Sequence, residues 1–232
     1  MKTEKLIVSE VFYSIQGEGA TMGIPSIFLR LAGCNLYCEG KGWRCDTIEV
    51  WQKGKAMDFN AVLSEEFVIR LREGAHLIIT GGEPLLHQQS IVKFIEWFKY
   101  NFNFKPFIEI ETNGTLLPKE DLYGLVEQWN VSPKLSSSGE AADKRIQEHV
   151  LNFFHISPFA IFKFVISDEA DIQELLQDYY SFLSAKVYLM PAGSSRDELN
   201  KTRELTARSA ILMGLKYSDR LHIVIWNKKT GV

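Results

Sequence analysis

The strongest constraint on the fold is an alternation, along most of the chain, of short apolar runs with longer stretches carrying a helical stripe. Strand character is read at Leu6–Phe12, Ser26–Leu31, Leu77–Thr80, Phe107–Glu111, Ile161–Ile166, Val187–Met190 and Leu221–Trp226. Between several of these, apolar residues recur at i, i+3, i+4 and i+7: Ile91, Phe94, Ile95 and Phe98; Leu122, Leu125, Val126 and Trp129; Ile172, Leu175, Leu176 and Tyr179. Such alternation predicts βα units, a parallel sheet and right-handed crossovers. About six units fit, fewer than a closed eight-unit barrel needs. An incomplete barrel or an open doubly wound sheet satisfies the pattern. The 232 residues suffice for one such α/β domain, spanning 1–232, with a full core.

In either architecture, chemistry collects beyond the carboxyl ends of the strands. The notable segments fall there. Thr80-Gly81-Gly82-Glu83-Pro84 follows one expected strand, Glu111-Thr112-Asn113-Gly114 the next, and Ser132-Pro133-Lys134 the short run Trp129–Val131.

The chain has three cysteines, Cys34, Cys38 and Cys45, all within twelve residues. An odd number excludes complete disulfide pairing within the chain, and clustered thiols point instead to a metal site. Thiolates select zinc, copper(I) or iron–sulfur centres. A closed zinc site wants a fourth ligand, and His76 and His87 lack ligand spacing with the loop. Three cysteines suit a four-iron cluster with one iron free of protein ligands. On spacing alone, iron–sulfur and zinc both stay open.

Other classes are disfavoured. A net charge of −3 offers no general attraction to nucleic acid. The longest apolar run, Phe159 to Ile166, is broken by Lys163 and is too short to span a bilayer. The first residues are unlike a secretory signal, so a cytoplasmic protein is expected. Gly17, Gly19 and Gly23 do not form a dinucleotide fingerprint, and no serine-hydrolase or zinc-peptidase motif occurs. The five histidines show no paired ligand spacing and are given no catalytic role.

A C-x3-C…C-D loop after a strand, followed by Thr80-Gly81-Gly82-Glu83-Pro84, resembles the radical S-adenosylmethionine superfamily. More closely, Ser14-Ile15-Gln16-Gly17-Glu18-Gly19, Arg30, Cys45-Asp46-Thr47, Ser132-Pro133-Lys134 and the ending Asn227 to Val232 resemble the 7-carboxy-7-deazaguanine synthase family, in order from Val8 to the last residue. One departure stands out: six residues separate Cys38 from Cys45 where the superfamily loop usually has two.

The resemblance implies that Cys34, Cys38 and Cys45 hold a 4Fe-4S cluster whose open iron binds S-adenosylmethionine. It implies cofactor contacts from Arg44, Asp46, Gly81, Gly82, Glu83, Ser132, Pro133 and Lys134, with Glu83 facing the cofactor's ammonium. Substrate, a 6-carboxy-tetrahydropterin, would meet Ile15, Gln16, Gly17, Glu18, Arg30, Thr80 and the terminal Val232. Thr47 would hold Mg²⁺, which needs further oxygens to complete its octahedron. The implied reaction, in queuosine and 7-deazapurine biosynthesis, gives 7-carboxy-7-deazaguanine with loss of ammonia. Implied partners are a flavodoxin or ferredoxin and a second copy of the chain. Without the resemblance, the glycine motifs read as turns, Arg30 as a solvated strand end and the terminus as a frayed tail. Two rivals remain at this stage: another radical enzyme, such as a glycyl-radical activase, and a zinc-stabilised binding module without turnover.

Overall fold

The computed structural model describes residues 4–40, 44–229 and 231. Nine strands form one mixed sheet: β1 (Lys5–Ile15), β2 (Pro25–Leu31), β3 (Lys55–Asp58), β4 (His76–Gly81), β5 (Ile108–Thr112), β6 (Gln128–Val131), β7 (Ala160–Ile166), β8 (Val187–Pro191) and β9 (Lys216–Tyr217). Their order is β3-β1-β2-β4-β5-β6-β7-β8-β9. β1 is antiparallel to both neighbours, and from β2 to β9 every pairing is parallel.

Among the described residues ten helices accompany the sheet: α1 (Ile48–Trp51), α2 (Phe59–Val62), α3 (Glu65–Arg72), α4 (Gln88–Phe102), α5 (Glu120–Tyr123), α6 (Ala142–Arg145), α7 (Glu148–Ile156), α8 (Glu169–Asp178), α9 (Arg196–Met213) and α10 (Leu221–Trp226). None is long and apolar enough to cross a membrane. The longer ones carry local start and stop signals. The Asp168 carboxylate accepts from the amides of Ala170 and Asp171 to open α8, and Gly214, at φ 65°, ends α9.

The two faces of the sheet differ in chemistry because side chains alternate along each strand. Ile108 and Ile110 of β5, and Phe162 and Phe164 of β7, face the helices and join Phe94, Phe98, Phe154 and Leu175 in a fully buried core. Their strand neighbours Glu109, Glu111 and Lys163 face the opposite side, together with Thr80 and Asn130. That inner face is polar, and its groups pair across the sheet. Just beyond β1, the Gln16 carboxamide donates to Glu111 (3.3 Å) and Glu18 pairs with Lys163; Thr21 donates to Glu109 at 2.9 Å. These contacts reach from one end of the strand order to β5 and β7, so the sheet curls on itself. It does not close, because β3 and β9 remain unpaired edges. The incomplete barrel expected from the sequence is what forms.

Two readings of secondary structure need correction. Leu221–Trp226 is helix α10, not a strand. The place beside β8 is taken by the two-residue β9, and only Ile223 of the run is fully buried. An apolar run this short carries no periodicity to separate the two states. The stripe Leu122–Trp129 is likewise not one helix. α5 ends at Tyr123 before Gly124, and Trp129 is buried from within β6.

Candidate active site

The carboxyl ends of the parallel strands open onto a cavity of about 1110 Å³, wide enough for a nucleoside cofactor and a small bicyclic substrate together. All three cysteines line it, and none is in a disulfide. Burial pushes the Cys38 thiol up to about 11 and raises Cys34 as well, so metal loading must displace protons from them. Among the described residues no three His, Cys, Asp or Glu side chains converge on a point that a single ion would occupy. Three thiols lining one cavity are the donor set that a four-iron cluster with one open iron would use.

The loop that carries them is held by its neighbours. The Cys45 amide donates to the Cys38 carbonyl at 3.0 Å, and Glu39 bridges to Arg44, so the two ends of the six-residue spacer lie side by side. Trp43 lies outside the described residues. Gly40 fits against the Ser136–Ser138 turn, where a Cβ would stand 1.8 Å from the Ser137 carbonyl oxygen. The Asn113 carboxamide donates to Asn35 at 2.9 Å and lies 4.0 Å from the Cys34 sulfur.

The Gly-Gly-Glu segment acts mostly on this loop. A Cβ on Gly81 would lie 2.2 Å from the Leu31 carbonyl oxygen, and one on Gly82 2.2 Å from that of Gly33 and 2.6 Å from the Cys34 Cβ. The glycines line the cavity, yet the space a side chain would need is filled by this chain, not left for a cofactor. Glu83 has partners within the chain. It is fully buried and off the cavity wall. One oxygen accepts from Thr112 (2.9 Å) and the Leu85 amide (3.0 Å), the other from the Asn113 amide (2.7 Å). It braces the Thr112–Asn113 turn. Pro133 is also buried off the cavity, whereas Ser132 and Lys134 line it and bond to each other at 3.1 Å.

Arg44, Asp46 and Thr47 line the same cavity. Arg44 is exposed and pairs with Glu39 (3.2 Å) and Glu49 (2.6 Å). The Thr47 hydroxyl lies 3.3 Å from the Cys45 sulfur. Ile15, Gln16, Gly17, Glu18, Arg30 and Thr80 also line the cavity. Arg30 is tethered to Glu10 at 2.8 Å, and Thr80 donates to Glu111 at 2.7 Å. The Ser14 hydroxyl and the Asn130 carboxamide oxygen are buried without a hydrogen-bond partner, both on residues that line the cavity. Orphaned polar atoms of this kind suit a ligand with donors of its own. Val232 lies outside the described residues. Asn227, Lys228, Lys229 and Gly231 line the cavity, delivered by α10 and not by the expected strand.

The sequence presented Glu111 only as the start of a notable strand-end segment, with no role, and did not disclose Lys163, Arg220 and His222 as part of this site. Lys163 left a trace as the charge interrupting an apolar strand. Glu18 sits between Lys163 and Arg220, whose Nε donates to it at 2.9 Å. Burial alone would raise the Glu18 carboxyl, but Lys163 and then Arg220 hold it well below the usual range. Burial lowers His222, which packs against Gly17.

A depressed folded value stabilises the fold fully above the ordinary value of 4.5 and is lost as pH falls below it. Glu18→Gln should therefore destabilise the protein by about 3 kcal/mol near pH 7, since it breaks a buried pair. In thermal melts from pH 7 to 3 the gap from wild type should narrow below 4.5. A gap constant with pH would contradict the assignment.

Comparison with known proteins agrees with this geometry. Residues 15–131 match the model of a 4Fe-4S single cluster domain. The chain is 33% identical to the 7-carboxy-7-deazaguanine synthase of Pyrobaculum aerophilum, over 99% of this chain and 98% of that protein. It is 32% identical to the enzyme of the same name from Halobacterium salinarum, over 96% and 91%. The crystal structure of QueE from Escherichia coli shares the fold, with a TM-score of 0.64 at 23% identity, covering 94% of this chain and 95% of that one.

Proposed function

The chain belongs to the 7-carboxy-7-deazaguanine synthase family, and on that premise we propose that its cavity takes 6-carboxy-5,6,7,8-tetrahydropterin and yields 7-carboxy-7-deazaguanine and ammonia. The observation that carries this reading is that one cavity is lined both by the three thiols and by a polar set, rich in donors and acceptors, from the inner face of the sheet. When bound, the 4Fe-4S cluster and S-adenosylmethionine supply hydrogen-abstracting radical chemistry.

The chain's own residues bind, orient and enclose. Cys34, Cys38 and Cys45 hold the cluster, and Ser132 and Lys134 flank the cofactor. Gln16, Glu18 and Thr80 offer hydrogen bonds to the pterin edge. Arg30 receives the substrate carboxylate, for which a guanidinium has the matching planar geometry. Arg30→Ala should weaken substrate binding by about 1.5–3 kcal/mol, read as a raised KM.

Mg²⁺ is held through the Thr47 hydroxyl, with substrate oxygens and waters completing its shell. Thr47→Ala should lower turnover and its dependence on added Mg²⁺ while leaving the cluster spectrum intact. Turnover that is indifferent to Mg²⁺ in chelated wild-type enzyme would remove the metal from the site. The protein works in the cytoplasm as a homodimer and receives electrons from a flavodoxin or ferredoxin. Neither a glycyl-radical activase nor a zinc-stabilised module has use for the polar set that lines the cavity with the thiols. The experiment for the whole reading is anaerobic turnover of the reconstituted enzyme with the carboxy-tetrahydropterin. Mass spectrometry should find a product lighter than substrate by one ammonia. Reductive consumption of S-adenosylmethionine with no such product would exclude the reading.

A further inference from the structure

Arg220 stands where three segments meet, none of them its neighbour in sequence. Its Nε donates to Glu18 at 2.9 Å, one terminal nitrogen to Asp46 at 2.6 Å and the other to the Gly193 carbonyl at 2.5 Å. Asp46 directly follows the cysteine Cys45, and Glu18 belongs to the Gln16–Gly19 loop. The residues around Arg220 grip that same loop. The Leu221 amide donates to the Gly17 carbonyl at 2.9 Å, and the Gly19 amide donates to the Ser218 hydroxyl at 2.8 Å. His222 fills the space beside Gly17, where a Cβ would stand 2.0 Å from its Nδ1.

A single guanidinium therefore joins the pterin-facing loop to the cysteine loop, with each nitrogen committed to a different segment. A lysine ammonium is a point charge on a flexible stem and cannot reproduce this planar fork. From this juxtaposition we propose that Arg220 is a positioning residue, which sets the distance and orientation between the substrate loop and the cluster loop. Occupancy beside one loop is thereby felt at the other. The inference rests on the functional reading above and concerns this chain's own residues.

The test uses the reconstituted holoenzyme and 6-carboxypterin, a fluorescent oxidised analogue of the proposed substrate. Wild-type protein should bind the analogue, and binding should alter the electron paramagnetic resonance line shape of the reduced cluster. Arg220→Gln and Arg220→Lys should each weaken analogue binding by about tenfold, the scale of one charge-assisted hydrogen bond, and abolish the line-shape response. Because loss of ammonia is redox-neutral, productive turnover returns the abstracted hydrogen, and the variants should release more 5′-deoxyadenosine per product than the wild type does. If Arg220 variants do not fold, Asp46→Asn keeps the fork on Glu18 and should remove the line-shape response alone. Wild-type protein that does not bind the analogue refutes the functional reading itself. Wild-type binding with no spectral response, or variants that keep the response and the wild-type ratio of 5′-deoxyadenosine to product, overturns the role of Arg220 and leaves that reading standing.

Discussion

Alanine at Cys34, Cys38 or Cys45 is expected to abolish iron loading and all turnover while leaving a folded protein. About four irons per chain in the reconstituted wild type should fall below one in each variant. The reasoning starts from supply. The chain has three cysteines, and on the proposed function each would be a ligand with no substitute. Among the described residues no group of His, Cys, Asp or Glu converges to take over. The fold should persist because the loop is held by groups other than sulfur: the Cys45–Cys38 backbone bond, the Asn113–Asn35 contact and the seat of Gly40 on the Ser136–Ser138 turn. Iron and sulfide analysis beside a thermal melt checks both halves. A variant that keeps a full complement of iron would remove that cysteine from the ligand set.

Gly82→Ala is expected to be damaging for a different reason. Its Cβ would meet the backbone of Gly33 and the Cβ of Cys34 at distances no side chain tolerates, and neither neighbour is a flexible end that can swing aside. The cysteine loop must shift. Overpacking of this kind costs about 1–3 kcal/mol, a fall of about 2–12 °C in Tm for a chain of this size. Cluster content should fall with it, because Cys34 itself is displaced. Gly124→Ala is the matched control. It has a helical backbone and meets nothing closer than 3.7 Å, so alanine there should be neutral or stabilise by up to about 1 kcal/mol. Equal effects at the two positions would show that the contact at Gly82 is not what matters.

These glycines also mark how far the sequence was legible. Thr80-Gly81-Gly82-Glu83 announced a site at a strand end, and the strand end is where it lies. Its motif did not reveal that Gly82 makes room for the cysteine loop, or that Glu83 is consumed bracing Thr112 and Asn113. Those facts depend on which loops meet, and no local pattern encodes that. The same limit hid Arg220 and His222. They sit far from the cysteines in sequence, in a segment whose apolar residues read as a strand and fold as α10. Lys163 was visible only as an interruption. It acquired meaning once β7 curled round to face Glu18. What the sequence carried well was local or periodic: the three clustered thiols, the buried stripe of α4, and the alternation that specifies a mostly parallel sheet.

The central claim is that this cavity joins a cluster-bound S-adenosylmethionine to a pterin whose C6 hydrogen is removed. The most direct measurement uses 6-carboxy-tetrahydropterin carrying deuterium at C6, with the reconstituted enzyme under anaerobic reduction and mass analysis of the 5′-deoxyadenosine formed. Deuterium in the 5′-deoxyadenosine, together with 7-carboxy-7-deazaguanine, is the expected result. Unlabelled 5′-deoxyadenosine beside unchanged, fully deuterated pterin would contradict the account.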